Sequence, residues 1–438
     1  MSLIIDVHTH IFGAKEIPLE GYLRSRKAKN FFEKWRNKAL SPLVAKCIRR
    51  EVGQEKTLLS GIGCSAVMWA VYAAMGEAYR GWAETLSKQV PEIVEEMLKT
   101  YVEDKIDLFV PLMIDYEYWF KSTTDHLIKD QIDLIFNKVV LPYKGKIHPF
   151  VPFDPARELA YRKGLCNPDD QPEEHGSFQL VRNAIESQGF MGVKLYNSMG
   201  YKPYYNADVN EERRKIALHK NQYRCFKGEE YDQVLGELYD YCVDNDVPIT
   251  THCGMYGIES YPDASFVFGK AIFWREVLQQ ERYRKLRLNL AHYGWYPAQG
   301  YRGDITWVED ICRMLSQNEN LFADISCHSV MEKRDVNKFK ADYKNICREF
   351  PIVKKRLLFG TDWHVNKRLD NFPRFKNNYI EILRQGGSFS EAEIQDFLGG
   401  NALDFLALRP GGGNRRRLEN FYRANGIDPP AWFAATNS

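Results

Sequence analysis

Two histidines one residue apart close the first apolar run of the chain, Leu3-Ile4-Ile5-Asp6-Val7-His8-Thr9-His10. Strand side chains alternate between faces, so His8 and His10 share one side and Thr9 takes the other. Two protonated imidazoles at that spacing repel, whereas two neutral ones are placed to share a cation such as zinc. The plainer alternative is a pair of hydrogen-bonded core histidines. It weakens as residues of the same kind recur down the chain. Lys194 in GFMGVKLY, His252 in VPITTHCG, His292 in LRLNLAHYG and Asp362 in RLLFGTDWH each stand at or near the C-terminal end of an apolar run. A buried strand end is a costly place to leave an imidazole or a carboxylate unpaired. Several such placements in one chain point to a shared site.

The elements that must position these residues follow from the same runs. After the opening strand, strand-like segments recur at 106–115, 146–154, 189–196, 247–254, 286–294, 320–328 and 356–364. Helical spacing of apolar residues fills most of the intervals, for example at 229–245 and 305–318. Strands alternating with helices predict a parallel sheet, and eight such units predict an α/β fold of the (β/α)8 TIM-barrel type. Barrels of that type build their sites from the C-terminal ends of the strands, where these polar residues lie.

The barrel is expected to span 1–408, with a helical insertion or cap at 14–89 and a C-terminal helical tail at 409–438. The insertion carries helical patterns at 28–40, 42–52 and 81–105. It follows strand one and is expected on the active-site face, as a cap or a dimer surface. Two further segments are expected at the mouth. One is Asp115-Tyr116-Glu117-Tyr118-Trp119 after the second strand. The other is the long connection 197–230, which carries Tyr201, Tyr204, Tyr205 and Tyr223. These tyrosines read equally as substrate contacts and as loop packing.

Composition narrows the class. A formal net charge of +2 over 438 residues gives no electrostatic footprint for nucleic acid or an anionic membrane. The one sharp basic cluster, Arg415-Arg416-Arg417, reads as a solvated face of the tail. The longest apolar run, Cys64 to Met75, is too short to span a bilayer. Nine cysteines without a C-x-x-C pair, and no leader-like stretch before the first strand, lead to the expectation of reduced thiols in a cytoplasmic protein. Cys253 and Cys327 read as walls of the site rather than nucleophiles.

Taken in order, DVHTH (6–10), GVKLY (192–196), THCG (251–254), AHYG (291–294), FGTDW (359–363) and GGNALDFLAL (399–408) resemble the amidohydrolase superfamily, in particular its amidohydrolase-related (amidohydrolase 2) branch. The resemblance implies a divalent metal, Zn2+ foremost, held by His8, His10, His252 and Asp362 as one ion, with two ions as the alternative. It implies a hydrolase of a small amide, ester or lactone. The other reading is a non-oxidative decarboxylase, a lyase, of a small aromatic or unsaturated acid. Three nitrogens and one carboxylate oxygen suit zinc with a position left for water. Asp362 is then expected to move a proton from that water to the leaving group. His292 is expected to polarise the substrate carbonyl, with a second-metal ligand and a supporting hydrogen bond as alternatives. Lys194 and Tyr196 are expected to contact substrate. For Lys194 a carboxylated bridge between two metals and a plain ion pair stay open. His328 and His364 read as loop or rim, and His126, His148, His175 and His219 carry no supporting pattern. The partners expected are a small-molecule substrate and a second copy of the chain as a homodimer, with no nucleic acid and no membrane.

Overall fold

The computed structural model describes residues 3–25, 45–46, 84–165, 176–209, 211–218, 223, 225–255, 257–294, 306–328, 333–367 and 372–436. Each of the eight expected strands is present and shorter than its apolar run. They are β1 (Ile5–Thr9), β2 (Leu108–Pro111), β3 (Phe150–Pro152), β4 (Gly192–Leu195), β5 (Ile249–His252), β6 (Leu288–Ala291), β7 (Leu321–Asp324) and β8 (Leu357–Leu358).

All the strand pairs are parallel, β1 with β2 and β3 through β8 in sequence order. Backbone hydrogen bonds cross the two remaining gaps. Met113 N donates to Phe150 O (3.2 Å) beside the bridge Leu112↔Phe150, joining β2 to β3. Val7 N donates to Phe359 O (3.0 Å) and Asp362 N to His8 O (2.7 Å), joining the end of β8 to β1. The ladder therefore runs through all eight strands and back to the first, as a (β/α)8 barrel requires.

The outer helices follow from apolar residues on one stripe. α1 (Val90–Thr100) precedes β2 and buries Val90, Ile93, Val94 and Met97. α2 (Ile128–Ile135) precedes β3, and α3 (Pro155–Arg162) and α4 (Ser177–Ser187) precede β4. α5 (Gly228–Asp244) buries Tyr231, Val234, Leu235, Leu238, Tyr239 and Cys242, all at i, i+3, i+4 spacing. α6 (Ile272–Leu278), α7 (Thr306–Gln317), α8 (Lys333–Glu349) and α9 (Phe375–Gln385) follow β5 to β8 in turn.

The barrel interior departs from an apolar filling. Lys194, Thr250 and Asn289 are register neighbours across β4, β5 and β6, and all three are buried. Branched aliphatic residues usually occupy such a layer. Here polar groups fill it, so each needs a partner or a ligand.

Of the expected insertion at 14–89, the patterns at 28–40 and 42–52 lie outside the described residues, apart from 45–46. α1 comes from the third pattern.

The tail forms α10 (Gly413–Ala424) and α11 (Ala431–Ala435), which pack on the N-terminal end of the barrel. Asn414 Nδ2 donates to Met191 O (2.6 Å) and Leu406 O (2.7 Å), and Trp432 Nε1 donates to Gly145 O (3.0 Å). The reading of the arginine cluster as a solvated face is corrected here. Arg415 is buried, its guanidinium lies 3.6 Å over the Phe433 ring and it donates to Phe433 O (2.6 Å). Arg417 donates to the carbonyls of Asn245 and Asp246, and only Arg416 is exposed. Two of the three cations therefore fasten the tail, because the helix aims them at an aromatic ring and at carbonyl oxygens. No helix among the described residues is long and apolar enough to cross a membrane.

Candidate metal centre

His8 faces the barrel interior from β1. Its Nδ1 is 3.0 Å from Asp324 Oδ2 and 2.9 Å from Ser326 Oγ. Asp324, the last residue of β7, also accepts from Asn289 Nδ2 (2.7 Å) and from the backbone N–H groups of His292 (3.1 Å) and Ser326 (3.1 Å). Burial opposes its ionisation. The His8 and His292 imidazoles and the hydrogen bonds from His8 and Ser326 outweigh burial and hold its carboxyl well below the usual range. An ionised Asp324 accepts the His8 Nδ1 proton, which leaves Nε2 as a bare lone pair. That atom is buried and has no hydrogen-bond partner among the described residues.

His10 lies one residue past the end of β1. Its Nδ1 is 2.7 Å from Leu112 O, a carbonyl that can only accept, so Nδ1 carries the proton. Burial foremost holds this imidazole well below its ordinary pKa, in the neutral form. Its Nε2 lone pair therefore faces Asp362 Oδ1 at 3.8 Å. Asp362 itself sits in left-handed backbone (φ 47°), pinned to β1 through its N–H. His8, His10 and Asp362 each bring one ligand atom within 4.8 Å of the others, and all three are buried. Both histidines are oriented through their second nitrogen, by a carboxylate in one case and a backbone carbonyl in the other. Metal-ligating histidines are held in this way. The donor set fits a divalent cation.

A second trio, His8, His292 and Asp324, overlaps the first through His8. Within it His8 Nδ1 already bonds Asp324, and Ser326 Oγ lies 2.9 Å from both His8 Nδ1 and His292 Nδ1. This trio scaffolds the first. His252 belongs to neither trio. Its Nδ1 lies 3.2 Å from His292 Nε2 and its ring 4.8 Å from that of Tyr196. The structure thus gathers His8, His10 and Asp362, and places His252 beside them across His292.

His292 reaches the site through backbone strain. On a strand of period two it would point away from the interior face that Asn289 occupies. His292, Tyr293 and Gly294 instead take left-handed backbone in succession (φ 66°, 46° and 72°). The turn is held by the bond from His292 N to Asp324 and by a bond of 2.8 Å between His328 Nε2 and His292 O. His328 also meets Tyr379 OH, and His364 Nε2 lies 3.1 Å from Phe12 O. Both histidines serve the loops, as their positions in the sequence suggest.

Lys194 is 1% exposed, and its Nζ has no hydrogen-bond partner among the described residues. Burial pushes its pKa down to about 8, with Asp324 and Asp362 acting the other way. Its Nζ stands 5.8 Å from the centre of the Tyr196 ring, whose hydroxyl accepts from Ile258 N (2.9 Å). In the long connection after β4, Tyr201 is buried and its hydroxyl accepts from Tyr196 N (3.2 Å), while Tyr205 is exposed. The loop-packing reading describes Tyr201. Cys253 and Cys327 are both buried, and burial pushes the Cys253 thiol up to about 12, which suits a wall.

Sequence reasoning missed Asp324, Ser326 and Asn289. Asp324 carried a readable signal, a lone carboxylate ending the apolar run Leu321-Phe322-Ala323, as Asp362 ends its own.

No curated protein matches the chain. Among solved structures it is similar to one described as a metal-dependent hydrolase from Lactobacillus casei ATCC 334, at 14% identity and a TM-score of 0.47, covering 95% of this chain and 97% of that one. An amidohydrolase from Burkholderia multivorans matches at 12% identity and a TM-score of 0.46 over 77% and 94% of the two chains. A 5-carboxyvanillate decarboxylase from Novosphingobium aromaticivorans DSM 12444, solved with manganese, matches at 11% identity and a TM-score of 0.40 over 92% and 97%. Likeness at this level says nothing about the reaction. The sequence itself is more telling: residues 156–408, more than half of the chain, match the Amidohydrolase family model (Amidohydro_2), and the chain belongs to that family.

Proposed function

We propose that the chain is a metal-dependent hydrolase of a small amide, ester or lactone. His8, His10, His252 and Asp362 would hold one divalent ion, with Zn2+ first among the candidates. One observation carries the reading. His10 Nε2 and Asp362 Oδ1 face each other at 3.8 Å in a buried site, beside a His8 Nε2 that has no partner among the described residues. Electron-rich atoms that meet without a proton between them repel, and a shared cation turns the repulsion into ligation. Such an ion, when bound, supplies a Lewis acid for a carbonyl oxygen and lowers the pKa of water.

The chain's own residues do the rest. Asp362 accepts the proton of the attacking water and returns it to the leaving group. His292 Nδ1 meets the Ser326 carbonyl, which only accepts, so its Nε2 is the lone pair that takes the His252 Nδ1 proton, and His292 supports His252 rather than donating to the carbonyl oxygen. Asp324 holds His8 in the tautomer that keeps Nε2 available. Lys194 and Tyr196 line the substrate side.

The decarboxylase reading keeps one supporting observation, the buried ammonium of Lys194, which suits an acidic substrate. The test has two parts. Metal content is measured by mass spectrometry on protein purified without chelator, beside His8→Ala/His10→Ala. Amides, esters and lactones are then offered alongside aromatic and unsaturated acids, and hydrolysis products and carbon dioxide are both followed. About one ion per chain, lost in the variant, with metal-dependent hydrolysis, is expected. Carbon dioxide without hydrolysis would replace the hydrolase by the lyase. No ion, even after zinc or manganese is offered, would end both readings.

A further inference from the structure

Two buried hydrogen-bond donors at the site end of the barrel, Lys194 Nζ and Tyr116 OH, have no partner among the described residues. The hydrolytic reading gives Tyr116 no role. The two converge on one ring: Lys194 Nζ is 5.8 Å from the centre of Tyr196, and the ring of Tyr116 is centred 6.2 Å from the same point. Both lie close enough to Asp362 to feel its charge. Burial, followed by Tyr196, Tyr22 and Asp362, keeps the Tyr116 phenol protonated, so it can donate.

The two chain neighbours of Tyr116 are held by one arginine. Arg157 Nε meets Asp115 Oδ2 at 2.5 Å and its NH2 meets Glu117 Oε2 at 2.5 Å, with the guanidinium 4.9 Å from the centre of the Tyr118 ring. Arg157 is fully buried, at 1% exposure. A planar fork gripping residues 115 and 117 draws both side chains to one side. Tyr116 lies between them in sequence, and its ring is centred 6.2 Å from that of Tyr196.

A buried ammonium and a buried phenol, each without an acceptor, are unfavourable separately. One anionic oxygen group between them satisfies both. We propose that the substrate carries a carboxylate and that Lys194 Nζ and Tyr116 OH receive it beside the reacting bond. The fate of the rest of the substrate rests on the metal-dependent reading. Recognition of the carboxylate does not.

The test is isothermal titration calorimetry of zinc-loaded and metal-free protein with acetate, succinate, benzoate and phthalate. Each acid is compared with its neutral amide: acetamide, succinamide, benzamide and phthalamide. At least one acid is expected to bind tenfold or more tightly than its amide in both forms of the protein. The metal-free arm removes direct ligation of the ion as a source of that preference. Lys194→Met keeps the length of the side chain and is expected to abolish the preference. Tyr116→Phe is expected to lower it about fivefold, the loss of one hydrogen bond. Thermal unfolding and metal content are followed in both variants and are expected to stay near wild type. The proposal is overturned if no acid outbinds its amide, or if the preference survives either substitution undiminished. Loss of the ion in Lys194→Met would make the lysine a metal ligand and would overturn it as well. A wild-type protein without metal would end the hydrolase reading, while the metal-free titrations would still decide the carboxylate.

Discussion

The two ends of the barrel carry buried histidines that look alike in sequence and behave differently in the fold. At the N-terminal end, His148 precedes β3, and both of its ring nitrogens are satisfied within the protein. Nδ1 donates to Gly189 O (2.7 Å) and Nε2 accepts from Tyr422 OH (2.8 Å). At the C-terminal end, His8 is equally buried but only Nδ1 is engaged, by Asp324 and Ser326. Its Nε2 has no partner among the described residues. Burial is the same in both places and saturation is not. A saturated polar group adds to stability, and one held rigidly with an atom to spare is prepared for a ligand. The contrast extends to the neighbours. Asn414, Arg415 and Trp432 find carbonyl acceptors at the N-terminal end, whereas Lys194 and Tyr116 at the C-terminal end each keep an unused donor.

The saturated end makes the sharpest prediction, in pH. Burial holds His148 down to about 4 from its ordinary 6.5. Above pH 6.5 the ring is neutral in both the folded and the unfolded chain, and its contribution to stability is complete. As the pH falls, the unfolded chain takes up a proton near 6.5 that the folded chain refuses until about 4. Stability is lost across that window, by about 3 kcal/mol for this one group. His148→Gln keeps a donor for Gly189 O and an acceptor for Tyr422 without titrating. Urea unfolding at pH 8 is expected to differ little between the two proteins. At pH 4.5 the wild type is expected to lose more stability than the variant by most of that amount. Equal losses would mean that His148 is not the buried neutral group described.

The prediction for the other end is read in metal affinity. Asp324→Asn keeps the shape of the side chain but removes the charge that fixes the His8 tautomer. Outer partners of ligating histidines contribute about 10- to 100-fold to affinity. A chelator competition against zinc is expected to register a loss in that range, with the ion still bound at saturation. An unchanged affinity would assign His8 the saturated role of His148 and dissolve the contrast between the ends.

What the sequence made legible divides along the same line. The eight strands could be read because a buried parallel strand announces itself locally, as a short apolar run between polar breaks. His8, His10 and Asp362 could be read because each ends such a run. Asp324 has the same local signature, but its role depends on β7 bringing it to a histidine 316 positions away. Arg415 looked solvated because a triple arginine is usually so, and the ring that covers it, Phe433, lies 18 positions on. The clamp of Arg157 on Asp115 and Glu117 spans about 40 positions, and each partner alone reads as an ordinary surface charge. Local patterns were enough for the scaffold and for the residues of the first trio. The residues that orient that trio act across the ring and become visible only once it closes.

The smallest expected effect tests whether the tail is part of the scaffold alone. Tyr422→Phe removes the hydroxyl that donates to His148 Nε2 and leaves the ring packing of Tyr422 against Phe433, at 5.2 Å between centroids, in place. The bare nitrogen is then buried without a partner, which costs about 1–2 kcal/mol. That loss is expected in urea unfolding, with metal content unchanged, because no atom of the tail reaches His8, His10 or Asp362 through the bonds described. A fall in bound metal would show that the N-terminal end transmits strain across the barrel to the metal centre. The two ends would then have to be treated as one coupled unit rather than as a stable base beneath a reactive mouth.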